Sequence, residues 1–236
     1  MRKAGRPLLD SGQFLSKIQV TGADQPRWLA RYSRGMTIHS LPELRALYGP
    51  AGERSIKKEL PSLDAHALHF IGMAPMVVVA SSGPQGALDA SPRGGEPGFV
   101  KVVNANTLLI PDSPGNNRLD TLENILQTGQ VGLLFLLPGV DETLRVNGTA
   151  VLSLLDADLT LCTDARRRPK LVIRVTVQAS YLHCAKSLMR SQLWDASRHV
   201  ERSVMPSMGE MLRDQIGAGM VAETQEQMLA RYKLGL

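Results

Sequence analysis

Apolar positions recur along this chain with two periods, about three to four residues in some stretches and two in others. Residues 1–35 follow neither. They are mixed, polar and aperiodic, and read as a flexible or partner-wrapping arm. Ser40-Leu41-Pro42-Glu43 then spells a capping box with proline near the first helical position, Leu41, Leu44 and Leu47 supply an apolar side, and Gly49-Pro50 ends the helix. A second helix is expected over about 63–73, with Leu68 and Ile71 facing inward. At residue 76 the period changes. MVVVASS is short and β-branched and leads into the turn residues Gly83-Pro84-Gln85-Gly86, and further strands are expected around 88–91, 99–104 and 107–112. Leu119, Leu122, Ile125 and Leu126 restore helical spacing, which Gly129 closes. Residues 131–137, 143–153 and 170–183 give three more strands, and the chain reads as helical again from Ala185.

Six or seven short strands at close spacing with one inserted helix favour an α+β fold, a small antiparallel barrel flanked by helices. Most connections between the strands are too short for the crossover helix that parallel pairing needs. The expected organisation is an arm over 1–35, a barrel domain over 36–215 and a helical tail over 216–236.

Composition narrows the class. Hydrophobic residues make up 43% of the 236 and charged residues 21%, the balance of a soluble globular protein, and Gly, Pro and Cys are too few for collagen-like, mucin-like or disulfide-scaffold chains. No apolar run approaches the roughly 20 residues that span a bilayer. The opening basic residues are not followed by the apolar run of a secretory signal. Two cysteines without a Cys-x-x-Cys partner fit a reducing cytoplasm, which is the expected location. The net charge of +5 attracts polyanions in general, phosphorylated cofactors included. The cations are scattered and aromatics scarce, so neither nucleic acid nor membrane is an expected partner.

Three segments carry candidate chemistry. In DASPRGGEPGFV, Ser91 and Arg93 stand beside Gly94-Gly95: a hydroxyl, a guanidinium and permissive backbone, the equipment for holding an oxyanion, or else a solvated hairpin. In LIPDSPGNNRLDTLENIL a strand gives way to a Gly/Asn loop and a helix expected to start around Asn117; free N–H groups and Arg118 favour an anion there, while Asn116 or Asn117 could equally be a plain N-cap. In YLHCAKSLMRSQLWD a helix would align Lys186, Arg190 and Trp194 in one stripe, either for an anionic aromatic ligand or as a basic surface face. Hydrolase and nucleotide motifs are missing, the histidines have no metal-ligand spacing, and Asp141-Glu142 reads as hairpin polarity.

At these segments, and at GLLFLLPGVDETLRVNGTA, the sequence resembles the pyridoxamine 5′-phosphate oxidase-like superfamily of FMN-binding split barrels, in particular a bacterial group of FMN-dependent enzymes. The likeness spans roughly 38–215 and keeps the order and spacing of the blocks. It implies an antiparallel split β-barrel and a homodimer with FMN at the subunit interface. It further implies that Asn117 and Arg118, helped by Ser91 and Arg93, grip the phosphate, that the ring runs along Ile110-Pro111, and that the other subunit contributes Lys186, Arg190 and Trp194, with Thr143 and Arg145 where the cross-interface strand meets the flavin. The implied activity is that of an FMN-dependent oxidoreductase acting on a small organic substrate. Other split barrels use deazaflavin F420 or haem, and a non-catalytic flavin-binding sensor would share the same residues. The Arg-rich flavin strand of true pyridoxamine phosphate oxidases is replaced here by ASPRGG, so the vitamin B6 reaction itself is not implied. FMN would do the redox chemistry and the protein would supply binding and electrostatics.

Overall fold

A computed structural model describes residues 37–217, 219 and 221–233. The arm expected over 1–35 lies outside them. Among the described residues, those up to Gly52 belong to one unit and those from Glu53 onward to another. In the first, helix α1 (Leu41–Tyr48) starts at Ser40, whose Oγ accepts the Glu43 N–H at 3.4 Å. Glu43 reaches one residue further back than a capping box would, accepting the His39 N–H at 2.9 Å. The expected apolar side of Leu41, Leu44 and Leu47 stays exposed, and α1 buries none of its side chains.

The second unit opens with α2 (Glu53–Lys57) and α3 (Ala65–Met73). Asp64 caps α3 by accepting the Ala67 N–H at 2.8 Å. Ala67, Phe70 and Ile71 form its buried i, i+3, i+4 stripe, so Leu68, expected to face inward, falls to one side and is 36% exposed.

Seven strands follow: β1 (Met76–Ser82), β2 (Leu88–Gly94), β3 (Lys101–Asn104), β4 (Thr107–Pro111), β5 (Gln130–Leu136), β6 (Thr143–Ser153) and β7 (Val172–His183). They pair antiparallel throughout in the order β2-β1-β5-β6-β7-β4-β3, which is the expected α+β split barrel, with β2 and β3 as its two edges. Helix α4 (Asp120–Thr128) is inserted between β4 and β5, ends at Gly129 as expected, and packs on β1, β2, β5 and β6. Strands fill the core with alternate residues: Val77 and Val79 from β1, Phe135 from β5, Val146 from β6 and Val175 from β7 are all fully buried.

Between β6 and β7 lies a helix the periodicity misses, α5 (Asp156–Leu161), whose six residues are too few to display a period. It is tied down electrostatically. Asp158, 5% exposed, accepts from Ser153 Oγ at 2.6 Å and from Arg174 Nη1 at 2.7 Å. Beneath it Cys162 packs with Leu109 and Val172. Burial pushes the Cys162 thiol up to about 11, whereas Cys184 is exposed. A disulfide reagent at pH ~8 should therefore titrate a single thiol rapidly in the native chain and both after denaturation. Two rapid thiols in the native protein would contradict the packing of α5.

After β7 come α6 (Lys186–Ser191), two 3₁₀ turns (Ala196–Arg198 and Arg202–Val204), α7 (Met208–Ile216) and α8 (Gln225–Lys233). Ser207 and Glu210 close a capping box on α7, and α7 meets the segment before α8 through Gly209, where a side chain would collide with Glu223. Among the described residues, no helix is long and apolar enough to cross a membrane.

Candidate functional site

Strand β2 alternates strictly. Leu88, Ala90, Pro92 and Gly94 are exposed, while Asp89, Ser91 and Arg93 are half-buried on the other face. That face meets the start of α4. Thr121, 2% exposed, donates from Oγ1 to Asp89 Oδ2 at 2.5 Å, and Ser91 Oγ donates to Asp89 Oδ1 at 2.9 Å. Arg93 donates from Nη2 to Thr121 Oγ1 at 3.2 Å and from Nη1 to the Pro92 carbonyl at 2.9 Å. The strand edge and the helix start thus gather one guanidinium, two hydroxyls and one carboxylate. The acid is the surprise, since both hydroxyls are turned toward it.

The loop before α4 departs from expectation. The helix begins at Asp120 rather than around Asn117, because Asn117 (φ 60°) and Leu119 (φ 55°) lie in the left-handed region and cannot extend a right-handed helix. Neither asparagine caps it. Asn116 Oδ1 accepts the Arg118 N–H at 3.1 Å in a local turn, and the N-cap position belongs to Leu119, which has no side chain for the role. The first-turn N–H groups of α4 therefore have no side-chain cap, and the positive end of the helix lies beside Thr121 and Arg93. Arg118, expected to supply the cation at the helix start, is 77% exposed and bonds Asp120 at 2.5 Å. Arg93, not Arg118, is the guanidinium fixed against the helix start.

Other expected residues lie elsewhere. Ile110 is fully buried in the core and pairs with Ile173 across the β4–β7 ladder, so its side chain has no open edge to offer a ring; Pro111, at the strand end, is half-buried. The Lys186–Arg190–Trp194 stripe does not form. Helix α6 stops at Ser191, with Gln192 at φ 51°, and Trp194 beyond it donates from Nε1 to the Val140 carbonyl at 3.0 Å. Arg190 Nε turns back to the Lys186 carbonyl at 3.0 Å. Thr143 is buried at the start of β6.

Arg145 belongs to a second cluster. It shares a rung with Leu134, Val78 and Pro92, three strand spacings or about 14 Å from β2, on the face opposite Arg93. There Arg145 Nη1 donates to Tyr181 Oη at 2.9 Å, and Lys58 Nζ lies 5.5 Å from the Tyr181 ring centre. Asp89, Thr121, Lys58 and Tyr181 were not read as functional from sequence. The alternation of Asp89 with Ser91 and Arg93 is a signal that could have found the first. Among the described residues, no three His, Cys, Asp or Glu side chains gather as metal ligands.

Comparison with known proteins gives this geometry a context. The sequence profile of the family described as pyridoxamine 5′-phosphate oxidase matches residues 63–184, just over half of the chain. No curated protein matches. Similar solved structures include HupZ of Group A Streptococcus (16% identity, 51% of this chain and 93% of that one, TM-score 0.43). A putative pyridoxamine 5′-phosphate oxidase of Lactobacillus delbrueckii is 18% identical, over 52% of this chain and 98% of that one, with TM-score 0.42. An FMN-binding protein of Syntrophomonas wolfei is 10% identical, over 61% and 97%, with TM-score 0.38.

Proposed function

The chain belongs to the pyridoxamine 5′-phosphate oxidase family, and from that premise we propose that it is an FMN-binding flavoprotein, an oxidoreductase acting on a small organic substrate as a cytoplasmic homodimer. The observation that carries the reading is the junction of β2 and α4. A half-buried arginine, held in place by Thr121, stands against an uncapped helix start. That donor set suits a phosphate monoester: the guanidinium offers a planar fork, and the first-turn N–H groups supply further donors along the dipole. Asp89 limits the fit by drawing the Ser91 and Thr121 hydroxyls to itself. Binding a dianion requires those hydroxyls to rotate toward it, which a hydroxyl does at little expense.

When bound, FMN would supply the electron-transfer chemistry of the isoalloxazine ring. This chain would fix the phosphate through Arg93 and the start of α4, while Arg118, left outside the cradle by Asp120, contributes long-range attraction. The dimer reading is supported by the outward face of β1, β2 and β5, where Met76, Val78, Ala80, Leu88, Ala90 and Leu134 present apolar surface. Light scattering at micromolar concentration with FMN present should give twice the chain mass, and a strict monomer would remove the shared site.

Anaerobic mixing of the FMN-loaded protein with NADH or NADPH tests the activity. Bleaching of the visible flavin absorption, followed by its return when an acceptor is added, is the expected result. A bound flavin that neither donor reduces would make the protein a flavin-binding module.

A further inference from the structure

Asp89 is an acid in a place prepared for an anion. Its carboxylate, half-buried on the face of β2 that meets α4, accepts from Thr121 Oγ1 at 2.5 Å and from Ser91 Oγ at 2.9 Å. No lysine or arginine among the described residues forms an ion pair with it. Thr121 Oγ1 also accepts from Arg93 Nη2 at 3.2 Å, so a single hydroxyl joins the cation to the acid. An anion that bonds Arg93 and the first-turn N–H groups of α4 therefore stands beside Asp89 as well.

Two like charges in a half-buried site repel with little water to screen them. Turning the Ser91 and Thr121 hydroxyls toward the anion sharpens the conflict, because Asp89 then loses both of its donors. One proton shared between the two oxyanions removes the repulsion and replaces the lost donors with a charge-assisted O–H···O⁻ bond. A phosphate monoester can bring that proton itself, since its second ionisation falls near pH ~6. Sulfate and phosphodiesters have no such hydroxyl, so with them the proton must sit on the carboxyl group, and carboxylic acids hold a proton about two pH units less firmly than a phosphate monoester does. The other charged groups on the elements packed here are Arg93 on β2 itself and Asp120 and Glu123 in the first turn of α4, with Arg118 paired to Asp120. Strand β1 has none, and no histidine stands on β1, β2, α4 or the loop before it.

We infer that Asp89 makes the cradle proton-coupled and selective, admitting an oxyanion that arrives with a proton, a phosphate monoester, in preference to sulfate or a phosphodiester. The inference rests on the flavin reading for the identity of the ligand, and adds the protonation state in which its phosphate is held.

Calorimetric titration of FMN into the full chain across a range of pH, in two buffers of different ionisation enthalpy at each pH, reads the proton directly. Near pH ~8 the parent should take up close to one proton per FMN bound, and its affinity should fall about tenfold for each pH unit above ~7. Asp89→Asn should take up almost none, keep a flat affinity over the same range and bind FMN more tightly than the parent at pH ~8. At pH ~7 inorganic phosphate should displace FMN from the parent at a concentration at least about tenfold lower than sulfate, and that preference should collapse in Asp89→Asn. The two-buffer comparison needs the parent alone, so the test stands even if the variant fails to fold. No proton uptake by the parent, a pH slope that survives in Asp89→Asn, or equal displacement by phosphate and sulfate would overturn the inference while leaving FMN binding intact. Absence of FMN binding at every pH would instead overturn the flavin reading, and this inference with it.

Discussion

Replacing Gly148 by alanine should cost the protein about 3 kcal/mol or more, enough to lower its thermal midpoint by roughly 6–12 °C. Gly148 lies where the β6–β7 register shifts: Asn147 pairs with Ala179 and Gly148 with Val177, leaving Gln178 as the extra residue of a bulge. The bulge presses the β7 backbone against the glycine, and a Cβ at residue 148 would run into the Thr176 carbonyl. That oxygen belongs to the sheet and cannot swing aside like the tip of a flexible side chain. The same bulge lets the Val177 N–H reach the Asn106 carbonyl at 2.9 Å, so distortion would spread to the β3–β4 turn. Gly72 gives the contrast. It sits inside α3 with open space where a Cβ would stand, and Gly72→Ala should stabilise by up to about 1 kcal/mol through helix propensity. Thermal melts of the two variants check both signs, and a Gly148→Ala midpoint equal to the parent's would show the β6–β7 bulge to be wrongly placed.

Arg93→Met should weaken FMN about 10- to 100-fold, the worth of roughly 1.5–3 kcal/mol in charge-assisted hydrogen bonds to a phosphate. Riboflavin, which has no phosphate, serves as the internal reference, because a general loosening of the β2–α4 junction would weaken both ligands alike. Arg118→Ala should have a smaller effect, since that guanidinium is solvated and already bonded to Asp120. Asp89→Asn should act in the opposite direction and tighten FMN, because it removes the carboxylate that competes with the phosphate for the Ser91 and Thr121 hydroxyls. If Arg118→Ala proved as harmful as Arg93→Met, the phosphate would sit over the loop rather than at the strand–helix junction.

The contrast between these two arginines shows what sequence can and cannot carry. The ladder was legible because its signal is local: β-branched alternation bounded by turn residues places β1 and β6 at the expected residues and most other strands within a few residues of them. The start of α4 was not, because Asn-Asn-Arg-Leu allows a right-handed turn as readily as the left-handed conformations that Asn117 and Leu119 adopt. Trp194 left its expected stripe for a similar reason. Spacing of i, i+4, i+8 presumes an unbroken helix, and Gln192 ends α6 with an αL residue that no glycine announces. Lys58 and Tyr181 are 123 positions apart, and only the pairing of Leu60 with Ser180 of β7 brings them together. Asp89 stood in plain view, but an acid beside a presumed phosphate site becomes meaningful only once Ser91 and Thr121 are seen to turn toward it.

A β2–α4 junction that recognises the phosphate of FMN should separate FMN from riboflavin when the two are titrated side by side into the unmodified protein by calorimetry. FMN should saturate and bind at least ~100-fold tighter than riboflavin. Equal affinities for the two, or no saturable binding of FMN, would contradict it.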